Sequence, residues 1–116
     1  MAARKRLICA ATELAEGGKA VLFKTAHENR MVPGFAVRHR GAVRAYLNRC
    51  AHVAMELDWR PGEFFDQSGL YLICATHGAL YAPESGACID GPCRGGALVR
   101  LAVEESDGGI FLIEDQ

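Results

Sequence analysis

The feature that most constrains this chain is a set of two cysteine and histidine pairs near its middle. Cys50 and His52 are separated by one residue, Cys74 and His77 by two, and residues 53–73 lie between the pairs. Two thiolates and two imidazoles form a complete four-ligand set. Such a set suits a tetrahedral zinc ion or a [2Fe-2S] cluster in which two histidines replace two cysteines on one iron. A lone cysteine or histidine is usually structural, but two spaced pairs favour a metal centre.

The rest of the sequence is typical of an all-β protein. Short apolar runs are separated by glycine, proline, aspartate and asparagine, and no long stretch has helical periodicity. We expect one domain over residues 1–116, in which the loop-rich segment 48–93 is inserted between β-rich ends. A first strand is predicted near Leu7, and turns at Arg40-Gly41 and at 106–109 predict hairpins. Further strands are predicted over residues 19–24, 35–38, 43–47, 71–73, 80–82, 98–103 and 110–113.

Charge and hydropathy exclude several classes of partner. The formal net charge is -1, from 13 Lys and Arg against 14 Asp and Glu, and no basic stripe suggests nucleic acid binding. No apolar run approaches the ~18 residues of a membrane span, and the run over 7–11 is too short for a signal peptide. We therefore expect a cytoplasmic protein without a membrane partner. Five cysteines in a reducing compartment favour metal binding over a disulfide framework.

The motifs Cys-Ala-His at 50–52 and Cys-Ala-Thr-His-Gly at 74–78 resemble the paired loops of the Rieske iron-sulfur family. The likeness extends over residues 14–113, and Gly91-Pro92 stands where the family has a proline loop over the cluster. The resemblance implies a Rieske-like fold, with an antiparallel β-sandwich base and a small, loop-built subdomain that binds the cluster. It also implies one [2Fe-2S] cluster per chain.

Carried over to this sequence, the resemblance assigns roles to individual residues. Tyr81 matches a family tyrosine whose hydroxyl bonds a ligand cysteine sulfur, and Asn48, Gly78 and Pro92 match accessory positions around the cluster. One iron would be held by two cysteines and the other by two histidines. These ligands would be Cys50 and Cys74, and His52 and His77.

Departures from the family pattern bear on the reduction potential. Quinol-oxidising members bridge their cluster loops with a disulfide, but the corresponding positions here are Met55 and Thr76. Those members also place a serine hydroxyl on a bridging sulfide, where this chain has Ala79. Both changes remove stabilisation of the added electron, so a potential in the lower half of the Rieske range is expected. The spacing between the two ligand pairs is also longer than is usual in the family. We assign the additional residues to the loop over 58–65, whose aromatic side chains should pack beside the site.

The function that the resemblance implies is one-electron transfer by a soluble ferredoxin. The carrier would pass electrons from a reductase to an oxygenase or another acceptor, and it would not itself be an enzyme. A complete Rieske oxygenase also needs a mononuclear iron site, which we do not find in the sequence. Two alternatives remain open: an electron-transfer small subunit of a reductase complex such as nitrite reductase, and a structural zinc module.

The remaining cysteines and histidines are interpreted as structural. Cys9 is predicted to lie in the core. Cys88 and Cys93 could form a local disulfide, but free thiols are favoured. His27 lies in a polar stretch and His39 beside a hairpin turn, so both are predicted to be solvated and not to form a second metal site.

Overall fold

The computed structural model describes residues 3–51, 55–76, 78–92 and 95–115. The structure confirms the all-β prediction, since regular structure in these residues consists of ten strands and one 3-10 turn at Ala11–Glu13. No helix in the described residues is long and apolar enough to cross a bilayer. The strands are β1 Ala3–Ala10, β2 Val21–His27, β3 Arg30–His39, β4 Ala42–Leu47, β5 Leu72–Ile73, β6 Leu80–Tyr81, β7 Cys88–Asp90, β8 Arg100–Leu101, β9 Val103–Ser106 and β10 Gly109–Asp115.

The strands form three antiparallel sheets. A central sheet has the order β2-β3-β4-β8, a second has the order β1-β10-β9, and a small third sheet has the order β5-β6-β7. The first two sheets provide the base, and the third belongs to the segment that carries the cysteine and histidine pairs. The inserted arrangement follows from chain order, because β4 and β8 pair with each other while β5, β6 and β7 lie between them in the sequence.

Tight turns join the longest strands. The predicted turn at Arg40-Gly41 connects β3 to β4, with φ of 52° and 78°, and Asp107-Gly108 connects β9 to β10, with φ of 50° and 75°. Positive φ at both central residues is the signature of the hairpin turns whose twist matches that of the strands. Sequence analysis missed a third such turn at Glu28-Asn29, because this pair lacks glycine.

The prediction of one continuous strand over 98–103 is wrong, because two separate strands lie in this part of the chain. Arg100–Leu101 pairs with β4 in the central sheet, whereas Val103–Ser106 pairs with β10 in the second sheet. Ala102 lies between them, and its carbonyl accepts a hydrogen bond from Ile113 at 2.9 Å. The period-two pattern runs through both strands because the backbone stays extended while it passes from one sheet to the other.

The central sheet is buried on both faces at the middle of β3. Phe35 and Val37 of β3 face the core that contains the third sheet, and Ala36 between them faces the core shared with the second sheet. Successive side chains of a strand point to opposite faces, so a continuous apolar run is needed where both faces are covered. This is why the middle of β3 is uninterrupted Phe-Ala-Val.

His39 corrects the prediction of a solvated side chain. It is buried, its Nε2 lies 3.3 Å from a carboxylate oxygen of Glu84, and its ring stacks against Phe65 at 6.1 Å. The reason is strand periodicity: residue 39 is on the same face of β3 as residues 35 and 37, which are core positions. His27 lies at the end of β2 and is half-buried, with Glu28 3.9 Å away.

Candidate metal centre

The two predicted cysteine ligands lie in one buried core. Cys50 follows β4 and Cys74 follows β5 directly, and their exposed fractions are 3 % and 0 %. Cys9 lies in the other core. The structure thus brings into one core two thiols that are 24 positions apart (74 minus 50) in the sequence.

The two predicted histidine ligands, His52 and His77, lie outside the described residues, and so do Val53 and Ala54. Their assignment therefore remains a prediction. Cys50 and Met55, on either side of the first histidine, are described. Cys50 donates its N–H to the Met55 carbonyl at 2.8 Å, and this bond closes the first ligand loop.

Tyr81 lies against the first ligand loop. Its phenol oxygen is 3.2 Å from the Cys50 sulfur and accepts a hydrogen bond from the Ala51 N–H at 3.0 Å. A sulfur bound to iron as thiolate has no proton, so the phenol must donate to it. Burial of the phenol, with the Cys50 sulfur beside it, raises the pKa of Tyr81 far above the ordinary value. The proton that this hydrogen bond requires therefore stays on the oxygen.

The second ligand loop is a tight connection between β5 and β6. Cys74 donates its N–H to the Ala79 carbonyl at 2.9 Å, and Gly78 donates to the Cys74 carbonyl at 2.8 Å. Gly78 has φ of 71°, a conformation that favours glycine. This geometry explains why glycine follows the second histidine in the motif.

The predicted proline loop lies against the second ligand loop. A β-carbon added to Gly91, whose φ is 93°, would come 3.0 Å from the Cα atom of Ala79. Only glycine lets the two backbones approach so closely at this φ. Pro92 is exposed, so it is placed at the surface beside the site.

The long insertion packs aromatic side chains beside the site, as the sequence predicted. Phe64 is buried and stacks on Phe35 of the central sheet, with ring centroids 3.8 Å apart and planes 11° apart. Phe65 is in the same core as both cysteines, whereas Trp59 stays 48 % exposed. The insertion therefore anchors the ligand loops to the base and leaves one aromatic ring at the surface.

Cys88 corrects the expectation of a free thiol, because it is disulfide-bonded. It opens β7, where it pairs with Tyr81 of β6. Cys93 lies outside the described residues. The argument from a reducing compartment was therefore a poor guide to the state of Cys88.

Sequence analysis noted Asn48 but gave it no role, and it overlooked Leu57 entirely. The Asn48 side chain accepts a hydrogen bond from the Leu57 N–H at 2.8 Å, and the Leu57 carbonyl accepts one from Ala75 at 2.9 Å. A polar residue two positions before a ligand pair, followed by a loop, was the available signal. It could not identify a partner nine residues away.

The described residues fit an iron-sulfur cluster. Two buried thiols supply soft ligands, a phenol is placed to donate to one of their sulfurs, and the second ligand loop is shaped by glycine conformations. Among the described residues, no group of three or more His, Cys, Asp or Glu side chains forms a separate metal site.

Comparison with solved structures gives matches that cover nearly all of this chain. The ferredoxin of carbazole 1,9a-dioxygenase from Nocardioides aromaticivorans IC177 is 20% identical, with a TM-score of 0.71, covering 96% of this chain and 98% of that one. A Sphingomonas yanoikuyae B1 ferredoxin is 21% identical, with a TM-score of 0.71 and coverage of 97% and 100%. The terminal oxygenase of the Nocardioides system is 20% identical, with a TM-score of 0.73, and 97% of this chain matches 30% of that longer one.

Sequence comparison identifies the family. A search of curated protein sequences found no match. The model of the Rieske [2Fe-2S] domain, by contrast, matches residues 5–104, which is most of the chain. The cofactor is accordingly one [2Fe-2S] cluster, and the chain belongs to the Rieske [2Fe-2S] domain family.

Proposed function

We propose that this chain is a Rieske-type ferredoxin that carries single electrons between a reductase and an oxygenase or another acceptor. The observation that carries the proposal is the match to two ferredoxins, which covers 96% and 97% of this chain and 98% and 100% of those chains. One of these is the ferredoxin of a dioxygenase, which supports an oxygenase as the acceptor. The chain has no catalytic activity of its own in this proposal.

The proposed ligands are the two cysteines and two histidines of the paired motifs, and the bound cluster supplies one-electron exchange. The protein holds both cysteines in a core closed by Phe64 and Tyr81, which excludes water from the sulfur side. Neutral imidazoles in place of two thiolates remove negative charge and so favour the reduced state. Residues 75, 76 and 78, which flank the second histidine, are exposed and leave that side open to a partner.

The spectroscopic prediction tests the function directly. Anaerobically purified protein, reduced with dithionite, should give a rhombic EPR signal whose average g is below that of all-cysteine [2Fe-2S] ferredoxins, and zinc should be absent. Its midpoint should lie in the lower half of the range of roughly -150 to +300 mV, because Ala79 supplies no hydroxyl to the cluster. We also propose a cytoplasmic location, so the signal should appear in the cytosolic fraction of cells.

Three results would contradict this proposal. Colourless protein with one bound zinc would indicate the structural module. A midpoint in the upper half of the Rieske range would refute the argument from Ala79. A partner subunit that stays bound through purification would indicate a permanent subunit of a reductase complex instead of a carrier.

The proposed docking surface lies beside the second ligand loop. A surface depression of about 370 Å³ is lined by six residues, among them Trp59 and Ala75, and Ala75 is two positions before His77. The Trp59 indole N–H donates to the Phe65 carbonyl at 3.4 Å, and the Arg60 guanidinium lies 5.1 Å from the indole ring. Exposed, oriented aromatic side chains are common energetic centres of protein interfaces.

Replacing Trp59 with alanine should slow electron transfer to and from the physiological partners by about tenfold, because interface tryptophans often contribute more than 1 kcal/mol. Stopped-flow reduction by the cognate reductase measures the rate, and the midpoint should not change. Leu7→Ala is a matched control, since Leu7 is an exposed apolar residue on β1 of the other sheet. Equal rates for the Trp59 variant and the wild-type protein would refute this surface.

A further inference from the structure

A short chain of hydrogen bonds connects the two ligand loops to each other. Its first member is Asn48, which is buried just after β4 and donates its backbone N–H to the Pro33 carbonyl at 2.9 Å. The Asn48 side-chain oxygen then accepts the Leu57 N–H at 2.8 Å. Asn48 is thus fixed to β3 through its backbone. Through its side chain it is fixed to Leu57, two residues beyond the Met55 end of the first ligand loop.

Leu57 carries the connection to the second ligand loop. Its side chain is fully buried, and its carbonyl accepts the Ala75 N–H at 2.9 Å. Ala75 directly follows Cys74. Leu57 therefore bonds Asn48 through its N–H and the second ligand loop through its carbonyl. A shift of Leu57 would change the separation of the two ligand loops.

Asp58 orients the Asn48 side chain. The Asn48 amide nitrogen donates to one Asp58 carboxylate oxygen at 3.1 Å, and the other oxygen accepts the Gly62 N–H at 3.1 Å. The amide oxygen is thereby directed at Leu57. Every side-chain polar atom of this pair has a described partner, as expected of a buried polar network that specifies one geometry.

We propose that Asn48 is a positioning residue that sets the separation of the two ligand loops through Leu57, and with it the geometry and retention of the [2Fe-2S] cluster. The inference rests on the proposed ligand assignment and goes beyond it, because Asn48 is not one of the proposed ligands. Two loops that each supply two ligands must be held at a fixed spacing, since the geometry of the ligands depends on the contacts behind them.

The decisive experiment compares Asn48→Ala with the exchange variant Asn48→Asp/Asp58→Asn. The alanine variant leaves the buried Leu57 N–H without its side-chain acceptor, and it should lose the visible absorbance of the cluster with a half-life about tenfold shorter than that of the wild type. Its EPR g values should also shift. The exchange variant can restore all three bonds, because a side-chain oxygen still accepts from the Leu57 and Gly62 N–H groups and only the bond between the two side chains reverses its donor and acceptor. It should recover both the half-life and the g values.

Ile110→Val controls for loss of stability alone. Ile110 is fully buried in the core between the base sheets, so its truncation lowers the unfolding temperature without reaching the ligand loops. It should leave the g values unchanged. If Asn48→Ala does not fold, Asp58→Ala tests the same network, because it removes the Asn48 partner and leaves the Leu57 bond in place; a smaller shift in the same direction is expected.

Wild-type half-life and g values in Asn48→Ala would overturn the inference alone. An exchange variant that binds the cluster but has the g values of Asn48→Ala would also overturn it. That result would show that these hydrogen bonds do not set the geometry of the cluster. Absence of the mixed-ligand signal from the wild-type protein would overturn the ligand assignment and this inference together.

Discussion

The Cys74→Ala variant is expected to be colourless, with neither iron nor sulfide and without an EPR signal after reduction. Cys74 is fully buried, and its sulfur is one of the two cysteine sulfurs in this core that we propose as cluster ligands. Alanine supplies no ligand, so the proposed set would lose one of its two thiolates, and we expect the cluster to be lost during purification. Iron and sulfide analysis together with the visible spectrum measure the loss, and Cys50→Ala should give the same result.

Cys9→Ala is the matched control for this experiment. Cys9 is a buried cysteine like Cys74, but it lies in the core between the base sheets, with Leu14 and Ile110. Its replacement removes one sulfur atom from a core and should cost stability by about 1 kcal/mol, with the cluster retained in full. A Cys74→Ala protein that still binds its cluster would remove Cys74 from the ligand set.

The Tyr81→Phe variant is expected to keep its cluster but to have a midpoint potential lower by on the order of 50 to 100 mV, the electrical equivalent of losing most of one charge-assisted hydrogen bond. The phenol lies 3.2 Å from the Cys50 sulfur in a fully buried position. Sulfur carries more negative charge in the reduced cluster, so the donated hydrogen bond stabilises that state more. Protein-film voltammetry measures the shift.

Tyr46→Phe separates this effect from general loss of a buried hydroxyl. Tyr46 is fully buried in the same core, but its hydroxyl donates to the Pro83 carbonyl at 2.5 Å instead of to a ligand sulfur. Both variants should lose stability, and only the Tyr81 variant should change its potential. Equal potentials in Tyr81→Phe and the wild type would show that the contact with Cys50 has no redox role.

Local features of the chain made much of this protein predictable. Turn pairs such as Arg40-Gly41 and Asp107-Gly108 impose positive φ on adjacent residues, so they identified two hairpins. Short apolar runs between turn residues indicated the strands, and the resemblance of the two cysteine and histidine motifs to known loops indicated the family. Each of these signals is contained within a few neighbouring residues, where covalent geometry and side-chain type decide the conformation.

The sequence by itself therefore determined the all-β class, the family and the candidate ligands. Only the tertiary structure decided which distant groups meet: the phenol of Tyr81 at Cys50, the carboxylate of Glu84 at His39, and the Leu57 link between the ligand loops. It also decided that residues 100–106 divide between two sheets. The physical reason is that such contacts depend on the packing of whole sheets, whose relative placement is a property of the complete core and leaves no periodic trace in any one segment.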